Sequence, residues 1–326
     1  MTERVIEWLD DRPAGEPWFA HVSYIRPHPP YRAPEGYHDR YDPAEGAPFK
    51  RLADRQAELD VHPIHHFGAL EAGCPTDEAE ARQLRATYWG NMAEVDDQLA
   101  RLFAHLDARG LTDQTLVVLT SDHGDQMGDH WLVEKLGWWD ESYHVPLIVV
   151  DPRPEADATR GLAVEAFTES VDVMPTLCTW LGIEVPIAVD GRELQPFLHD
   201  APVPADWRTE VHQQWDFRDP VRHLGEDLFG LTMEQCTLDV VRSAADKYVH
   251  FGDGAGLWFD LELDPDQVHP HVLAAGELIE DPTVAARVAE ARARLLSWRM
   301  RHMDRTLTGT RITNEHGLVV RRDPRR

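Results

Sequence analysis

The chain has 326 residues, of which 42% are hydrophobic, and its formal net charge at pH 7 is -26. This length and apolar fraction suit one large globular domain, or a large and a small one, and they exclude an intrinsically disordered chain. The strong negative charge argues against a nucleic-acid partner, whereas a small anionic ligand responds to the local field and is not excluded.

The N-terminal segment predicts a helix, a strand and a rigid loop. Residues Thr2 to Asp11 carry apolar side chains at helical spacing, with Thr2 in the N-cap position. Pro17 to Tyr24 predicts a buried strand, and the three prolines of Ile25-Arg-Pro-His-Pro-Pro-Tyr31 then exclude a helix or a central strand. His28 is thereby held between two prolines at a strand end, either as a functional side chain or as a turn histidine without a role.

A long irregular segment is predicted from Asp42 to Thr76. It contains three close histidines, namely His62, His65 and His66. They could bind metal, but their spacing offers no second ligand set, so a mobile surface loop is the favoured interpretation.

A long helix is predicted from Glu78 to Arg109. Apolar residues, among them Tyr88 and Leu99, recur at intervals of three and four residues, which gives the helix one core-facing side. Gly110 follows as a C-cap signal, and the helix then leads into a central strand.

The central stretch, Thr115 to Val150, consists of two short β-branched runs on either side of a polar loop. The runs predict strands buried on both faces, as in the parallel sheet of an α/β protein. Ligands of such sheets bind beyond the carboxyl ends of the strands, where Asp122 and His123 stand. A carboxylate beside an imidazole is half of a divalent-metal site, although Asp122-His-Gly124 also fits an ordinary turn. The polar groups that follow are interleaved with tryptophans, which favours a walled pocket: Trp131, Trp138 and Trp139.

The C-terminal part changes to short strand-like runs. These predict a small antiparallel sheet with a helix from Pro282 to His302 packed on it. The runs are Glu210–Phe217, Cys236–Ser243, Lys247–Phe251 and Leu257–Leu261. We therefore expect a domain of residues 1–205 and a C-terminal subdomain of residues 206–326.

The cysteines and the N-terminal residues bear on the compartment. Cys74, Cys178 and Cys236 are too few and too widely spaced for a disulfide framework, and they form no Cys-x-x-Cys motif. The chain starts without the apolar core of a signal peptide, and no stretch approaches the ~20 apolar residues that span a bilayer. A cytoplasmic protein without a membrane partner is expected.

Several segments resemble the sulfatase family of the alkaline phosphatase superfamily. Ser121-Asp-His-Gly-Asp-Gln-Met-Gly-Asp-His130, followed by Glu134-Lys135, looks like the second metal-binding segment of that family. Arg26-Pro-His-Pro-Pro-Tyr31 is similar to its active-site histidine loop. The Asp-His pair, where many arylsulfatases carry Asp-Asn, is closer to the phosphonate monoester hydrolase branch. Lys247-Tyr-Val-His250 resembles the C-terminal signature of sulfatases, so the resemblance covers essentially the whole chain.

The resemblance implies a fold, a site and an activity. The fold is an alkaline-phosphatase-like α/β/α sandwich with a small C-terminal α+β subdomain. Asp122 and His123 would bind a divalent metal ion (Mn, Zn, Ca or Mg), Lys135 would contact the oxygens of the substrate anion, and His28 would lie near the leaving-group oxygen. The implied activity is metal-dependent hydrolysis of sulfate, phosphate or phosphonate esters, with a small anionic ester as substrate and a homo-oligomer as a possible assembly. A sister phosphodiesterase or phosphomutase fits the C-terminal signature less well.

The nucleophile of that family has no counterpart in this sequence. The family carries Cys-x-Pro-x-Arg, whose cysteine becomes formylglycine, or a Ser or Thr in its place. Cys74 is followed directly by Pro75, one position early, and the arginine is absent. The family's N-terminal strand with an acidic metal ligand is not found either, so we expect an N-terminally incomplete, truncated hydrolase, through a wrong start, a gene split or genuine loss. The alternative is a non-catalytic remnant or binding module with the same fold.

Overall fold

The computed structural model describes residues 1–186, 189–218, 221–302, 310–313 and 317–320. It forms two compact units, residues 1–276 and residues 277–326. The predicted division at residue 205 stays a prediction. Within the described ranges, no helix combines the length and the apolarity needed to cross a bilayer.

The first unit contains both helices and strands. Its helices are α1 (Thr2–Asp10), α2 (Arg55–Leu59), α3 (Pro63–Glu71), α4 (Glu78–Ala108), α5 (Asp140–Tyr143), α6 (Val173–Trp180), α7 (Gln195–Leu198) and α8 (Leu224–Phe229). Its strands are β1 (Val117–Thr120), β2 (Leu147–Val150), β3 (Glu210–Asp216), β4 (Thr237–Ser243), β5 (Asp246–Phe251), β6 (Gly256–Asp260) and β7 (His271–Leu273). The second unit contains α9 (Pro282–His302), β8 (Thr310–Thr313) and β9 (Gly317–Val320).

The strands β1 and β2 lie where the β-branched runs predict them, but their arrangement differs. They pair with each other in antiparallel orientation, with Val117 opposite Val150 and Thr120 opposite Leu147. Side chains of β2 alternate between half-buried and exposed, and Ile148 is 54% exposed. The expectation of a parallel pair buried on both faces is therefore wrong for these strands. A short apolar run does not specify the direction of its neighbour, which is set by pairing elsewhere in the chain.

The predicted strand from Pro17 to Tyr24 is also wrong. The segment is largely exposed and has no strand partner among the described residues. An apolar extended segment becomes a strand only where another backbone takes up its hydrogen bonds. Its end is held by a hydrogen bond of 2.8 Å between the hydroxyls of Tyr24 and Thr2. Thr2 is therefore buried against Tyr24 and does not cap α1, whose N-cap residue is Met1.

Helix α4 forms as predicted and supports the loop that carries His28. The Asp77 side chain caps its first turn by accepting from the Glu80 N–H, and Gly110 follows its end at φ +63°. A Cβ atom at Gly90 would approach the Tyr37 carbonyl oxygen to 2.3 Å. Only glycine allows this close approach, so the loop of residues 26–41 lies directly on the helix.

The strands β3 to β7 form one antiparallel sheet in sequence order. This confirms the predicted antiparallel sheet, with β7 as a short strand that the sequence pattern did not indicate. One face of this sheet forms a core with Leu132, Trp138 and Trp139 of the loop between β1 and β2. The buried residues of the sheet in this core include Leu238, Val240, Val249 and Phe259.

The three histidines near residue 65 are not in a mobile surface loop, so that interpretation is wrong. His62 caps α3, where its Nδ1 accepts from the Ile64 N–H, and its ring stacks on Phe251 with centroids 3.6 Å apart. His65 is buried, and its Nε2 accepts a hydrogen bond of 3.0 Å from the indole of Trp139. The contacts with Phe251 and Trp139 come from residues distant in the sequence, which is why local spacing did not reveal them.

These buried histidines predict a loss of stability in mild acid. Burial lowers the pKa of His62 to about 4 and that of His65 to about 3. Both histidines are neutral in the folded chain, so the stability of the fold is highest above the ordinary histidine pKa of about 6.5. As the pH falls to 5, the unfolded chain takes up protons at these rings more readily than the folded chain, and each ring thereby lowers the unfolding free energy by up to about 2 kcal/mol. Urea unfolding between pH 7 and 5 measures the slope, which His65→Gln should flatten. His38→Gln, at an exposed position, is the control and should keep the slope of the unsubstituted chain. An unchanged slope in His65→Gln would contradict the claim that the buried His65 causes part of the pH dependence.

Candidate active site

Asp122 and His123 follow Ser121, the first residue after β1, and Asp122 is exposed while His123 is half-buried. The Asp122 side chain is 87% exposed and that of His123 is 30% exposed. The His123 backbone N–H donates to Asp122 Oδ1 at 3.0 Å, and His123 Nε2 lies 3.7 Å from Asp122 Oδ2. His123 Nδ1 is 2.8 Å from the Gly124 carbonyl oxygen, to which it donates. This bond leaves the lone pair of Nε2 directed away from the backbone, as in a metal-binding histidine.

The pair fits two ligands of one divalent ion. Ligand atoms at about 2.0–2.2 Å from one ion lie no more than about 4.4 Å apart, and the 3.7 Å separation meets that limit. A carboxylate and an imidazole suit zinc or manganese. Within the described part of the chain, no group of three or more His, Cys, Asp or Glu side chains is arranged to hold a metal ion. These residues therefore present half of a coordination shell.

Gly124 fixes the position of this loop. A Cβ atom at Gly124 would meet the Glu141 carbonyl oxygen at 2.0 Å, so only glycine fits. The Gly124 N–H donates to the Ser142 carbonyl oxygen at 2.8 Å. Helix α5 therefore packs directly behind the Asp122–His123 pair.

His28 and Lys135 lie together, although 107 positions separate them. Lys135 Nζ is 3.3 Å from His28 Nε2 and 3.2 Å from Glu134 Oε2. An ammonium group has no lone pair, so Lys135 donates and His28 Nε2 accepts. His28 Nδ1, 2.9 Å from the Pro29 carbonyl oxygen, then carries the ring proton. The contact therefore joins the half-exposed ammonium of Lys135 to the exposed imidazole of His28.

Tyr31 and Asp125 join the two segments of that pair. The Tyr31 hydroxyl donates to Asp125 Oδ2 at 2.8 Å, while Asp125 Oδ1 accepts from the backbone N–H groups of Met127 at 3.2 Å and Glu134 at 2.9 Å. Burial raises the pKa of Asp125 even though these donors oppose the shift. Sequence reasoning gave neither residue a role. An aspartate directly after a glycine, Gly124, as a turn residue that bonds nearby N–H groups, is the signal that could have indicated one.

A buried charge network lies behind the loop. His130 donates to Glu58 Oε1 at 2.9 Å and lies 3.5 Å from Glu141 Oε2, while Lys50 Nζ contacts Glu141 Oε1 at 2.8 Å. Burial alone would lower the pKa of His130, but Glu141 and Glu58 raise it above its ordinary value. The protonated ring neutralises the buried carboxylates, and the network joins α2 to α5.

The tryptophans of this stretch do not wall a pocket, so that prediction is wrong. Trp138 and Trp139 are fully buried in the core beneath β3 to β7. Trp131 is buried beneath the guanidinium of Arg51, 3.7 Å from the ring centroid. The tryptophans therefore pack against the core side of the loop, on the side opposite the exposed Asp122.

Lys247 connects the same loop to the antiparallel sheet. Its buried ammonium donates to the Trp138 carbonyl oxygen at 2.9 Å and to the side chains of Asp140 and Gln267. Burial would raise the pKa of Asp140, but Lys247 and Arg242 hold it below its ordinary value. The first turn of α5 is therefore tied to β5 by a buried ion pair.

Replacing Lys247 should destabilise the chain strongly. Lys247→Met leaves the buried acceptors of Trp138 and Gln267 without this donor and removes one of the two cations beside the Asp140 carboxylate, the other being Arg242. We expect this loss to lower the unfolding free energy by about 3 kcal/mol. The exposed pair between Arg101 and Glu3 supplies a control, since Arg101→Met should cost no more than about 1 kcal/mol. Guanidinium unfolding measures both, and equal small losses would contradict the role of the buried pair.

Comparison with known proteins places this geometry in context. A family model described as Sulfatase matches residues 1–183. The multifunctional alkaline phosphatase superfamily protein PehA of Trinickia caryophylli is 42% identical over 98% of this chain, which covers 62% of that protein. The crystal structure of the phosphonate monoester hydrolase of Agrobacterium radiobacter has a TM-score of 0.86 at 38% identity, with 99% of this chain and 64% of that chain covered. For the phosphonate monoester hydrolase of Silicibacter pomeroyi, the TM-score is 0.83 at 36% identity, with 99% and 64% covered. The chain thus spans less than two thirds of the length of each of these proteins.

Proposed function

This chain belongs to the sulfatase family of the alkaline phosphatase superfamily, and on that basis we propose that it supplies part of an active site for the hydrolysis of sulfate, phosphate or phosphonate esters. Its fold is the alkaline-phosphatase-like fold of the phosphonate monoester hydrolases. The observation that carries the proposal is the contact of 3.3 Å between Lys135 Nζ and His28 Nε2. A cation beside an oriented imidazole is suited to an anionic ester, because one group neutralises charge while the other handles a proton.

The two residues take different parts. Lys135 donates to the sulfate or phosphate oxygens and lowers the cost of the charge that builds up there. His28 keeps Nδ1 on the Pro29 carbonyl oxygen, so its Nε2 is oriented to give or receive a proton at the leaving-group oxygen. Both groups are half-exposed or exposed, which leaves room for a small ester.

Asp122 and His123 are the proposed metal ligands of this chain. The exposed carboxylate and the free Nε2 lone pair support this role. A bound divalent ion supplies Lewis-acid polarisation of the ester oxygen and activation of a nucleophile. The nucleophile and the further ligands belong, in this proposal, to residues that this chain does not contain. A homo-oligomer and a cytoplasmic location stay predictions.

Metal binding by the purified chain should be weak and should depend on this pair. The double variant Asp122→Ala, His123→Ala is expected to lower the affinity for Mn²⁺ or Zn²⁺ by at least about 10-fold, because both first ligands are lost. Calorimetric titration measures it. The exposed neighbours His38 and Asp39, also 3.7 Å apart, offer a matched control pair for alanine substitution. Unchanged binding in the first double variant would place the metal elsewhere.

A second candidate is a non-catalytic module that binds anions with the same fold. It is favoured by one observation, namely that the printed sequence lacks Cys-x-Pro-x-Arg. Such a module would bind inorganic sulfate through Lys135, but it would stay without turnover even when a nucleophile is supplied. Turnover after addition of the nucleophile segment separates the two candidates.

A further inference from the structure

The carboxylate of Asp125 holds together the two segments that carry His28 and Lys135. On one side it accepts from the hydroxyl of Tyr31, three positions after His28, at 2.8 Å. On the other side it accepts from the backbone N–H of Glu134, the residue before Lys135, at 2.9 Å. One half-buried carboxylate thus spans the two segments at the point where their functional side chains meet.

The backbone of Glu134 shows that this connection is constrained. Glu134 has φ +61°, a left-handed conformation that is unfavourable for a residue other than glycine. Both of its backbone groups are held, since Asp125 Oδ1 accepts from its N–H and the Gln126 N–H donates to its carbonyl oxygen at 2.9 Å. Strain of this kind persists only where the surroundings enforce it. The Asp125 carboxylate is therefore one of the two groups that hold the backbone immediately before Lys135.

We propose that Tyr31 and Asp125 are positioning residues that set the contact between His28 and Lys135. In this proposal, neither of them contacts the ester. Tyr31 fixes the histidine loop to the carboxylate, and the carboxylate fixes the turn before Lys135. The inference deepens the proposed function and rests on it for its catalytic meaning, whereas the contact itself can be measured without turnover.

Tyr37 provides a matched control within the same loop. Its hydroxyl also donates to an aspartate, Asp97 Oδ2 on α4, at 2.8 Å. This bond is similar in length and chemistry, but it leads away from Lys135. Tyr31→Phe keeps the ring against Tyr88, with centroids 6.2 Å apart, and removes the hydroxyl alone. Tyr37→Phe removes the equivalent hydroxyl and leaves the hydrogen bond between Tyr31 and Asp125 in place.

The test uses the full chain labelled with ¹⁵N at histidine, with the His28 signals assigned by their loss in His28→Asn. In the unsubstituted chain, the Nε2 shift should report an unprotonated acceptor and the Nδ1 shift a protonated donor. Tyr31→Phe and Asp125→Asn should both move these signals toward the mixed tautomers of a solvated imidazole. Tyr37→Phe should leave them in place. Unchanged His28 shifts in Tyr31→Phe and in Asp125→Asn would overturn the proposal.

Titration with inorganic sulfate, followed by the same His28 nitrogen signals, measures whether the positioning of Lys135 affects anion binding. Affinity should fall on the order of 10-fold in Tyr31→Phe and remain constant in Tyr37→Phe, because only the first displaces the cation. Equal affinities in the two variants would count against the positioning role. If Lys135→Ala binds sulfate as tightly as the unsubstituted chain, the proposed function fails. The nitrogen shifts still decide whether Tyr31 and Asp125 position His28.

Discussion

The purified chain should show negligible hydrolysis of aryl sulfates, phosphodiesters and phosphonate monoesters, even with added Mn²⁺ or Zn²⁺. Its sequence contains no Cys-x-Pro-x-Arg, and Cys74 does not replace that motif. The Cys74 thiol donates to the Trp131 carbonyl oxygen, accepts from Arg55 Nε at 3.3 Å, and has a pKa raised by burial. A thiol of this kind is a poor nucleophile. Without covalent catalysis, the remaining electrostatic groups give only a small part of a normal enzyme rate.

Release of nitrophenol from nitrophenyl esters measures this expectation sensitively. Cys74→Ala should change nothing, because the thiol has no part in the proposed chemistry. Sustained, metal-dependent hydrolysis that disappears in Lys135→Ala would contradict the prediction. It would mean that water or another side chain takes the place of the missing nucleophile.

The largest effect of a single substitution is expected in a hybrid that carries a Cys-x-Pro-x-Arg motif. The hybrid fuses an N-terminal segment from a close relative, including Cys-x-Pro-x-Arg, to this chain and is co-expressed with the formylglycine-generating enzyme. In it, Lys135→Ala and His28→Ala should each lower kcat/KM by about 10²- to 10⁴-fold, since each removes a group that acts on developing charge or on a proton. The exposed His38→Ala should leave the rate unchanged.

The double variant adds a sharper criterion. Lys135 and His28 share a hydrogen bond, so the loss in the double variant should be smaller than the product of the single losses. Fully independent losses would show that the two residues do not act as a pair. Full activity in both single variants would remove them from the site.

The antiparallel sheet and the long helices could be predicted from sequence because their signals are local. Helix α9 has the bounds Pro282–His302 that its pattern predicts. Strand β5 begins one residue before its prediction, and β6 is shifted by one residue at both ends. Alternation, turn residues and capping positions act within a few residues of one another. No distant partner is needed to recognise them.

Where distant partners decide the outcome, sequence reasoning was wrong. The direction of β2 relative to β1 depends on which backbone lies beside it, and Pro17 to Tyr24 has no strand partner among the described residues. His65 is buried because Trp139 lies across it, 74 positions later. Apolar periodicity carries no information about such contacts.

In the candidate site, too, local motifs could be predicted from the sequence and contacts between distant residues could not. The motifs carrying His28 and Lys135 could be recognised separately, and the structure brings the two side chains together. The Tyr31–Asp125 bond and the buried His130 network could not be predicted, because each joins residues more than 70 positions apart. Their effect is indirect, through the backbone and the packing of the residues that the motifs contain.

The turnover of the unsubstituted hybrid tests the central claim most directly, namely that this chain carries competent residues of an ester-hydrolase active site. We predict metal-dependent ester hydrolysis that is lost when the motif cysteine of the added segment is replaced by alanine. That result would show that His28, Lys135, Asp122 and His123 serve a working site. A soluble, folded hybrid with a matured nucleophile and no turnover would contradict the claim and favour the non-catalytic module.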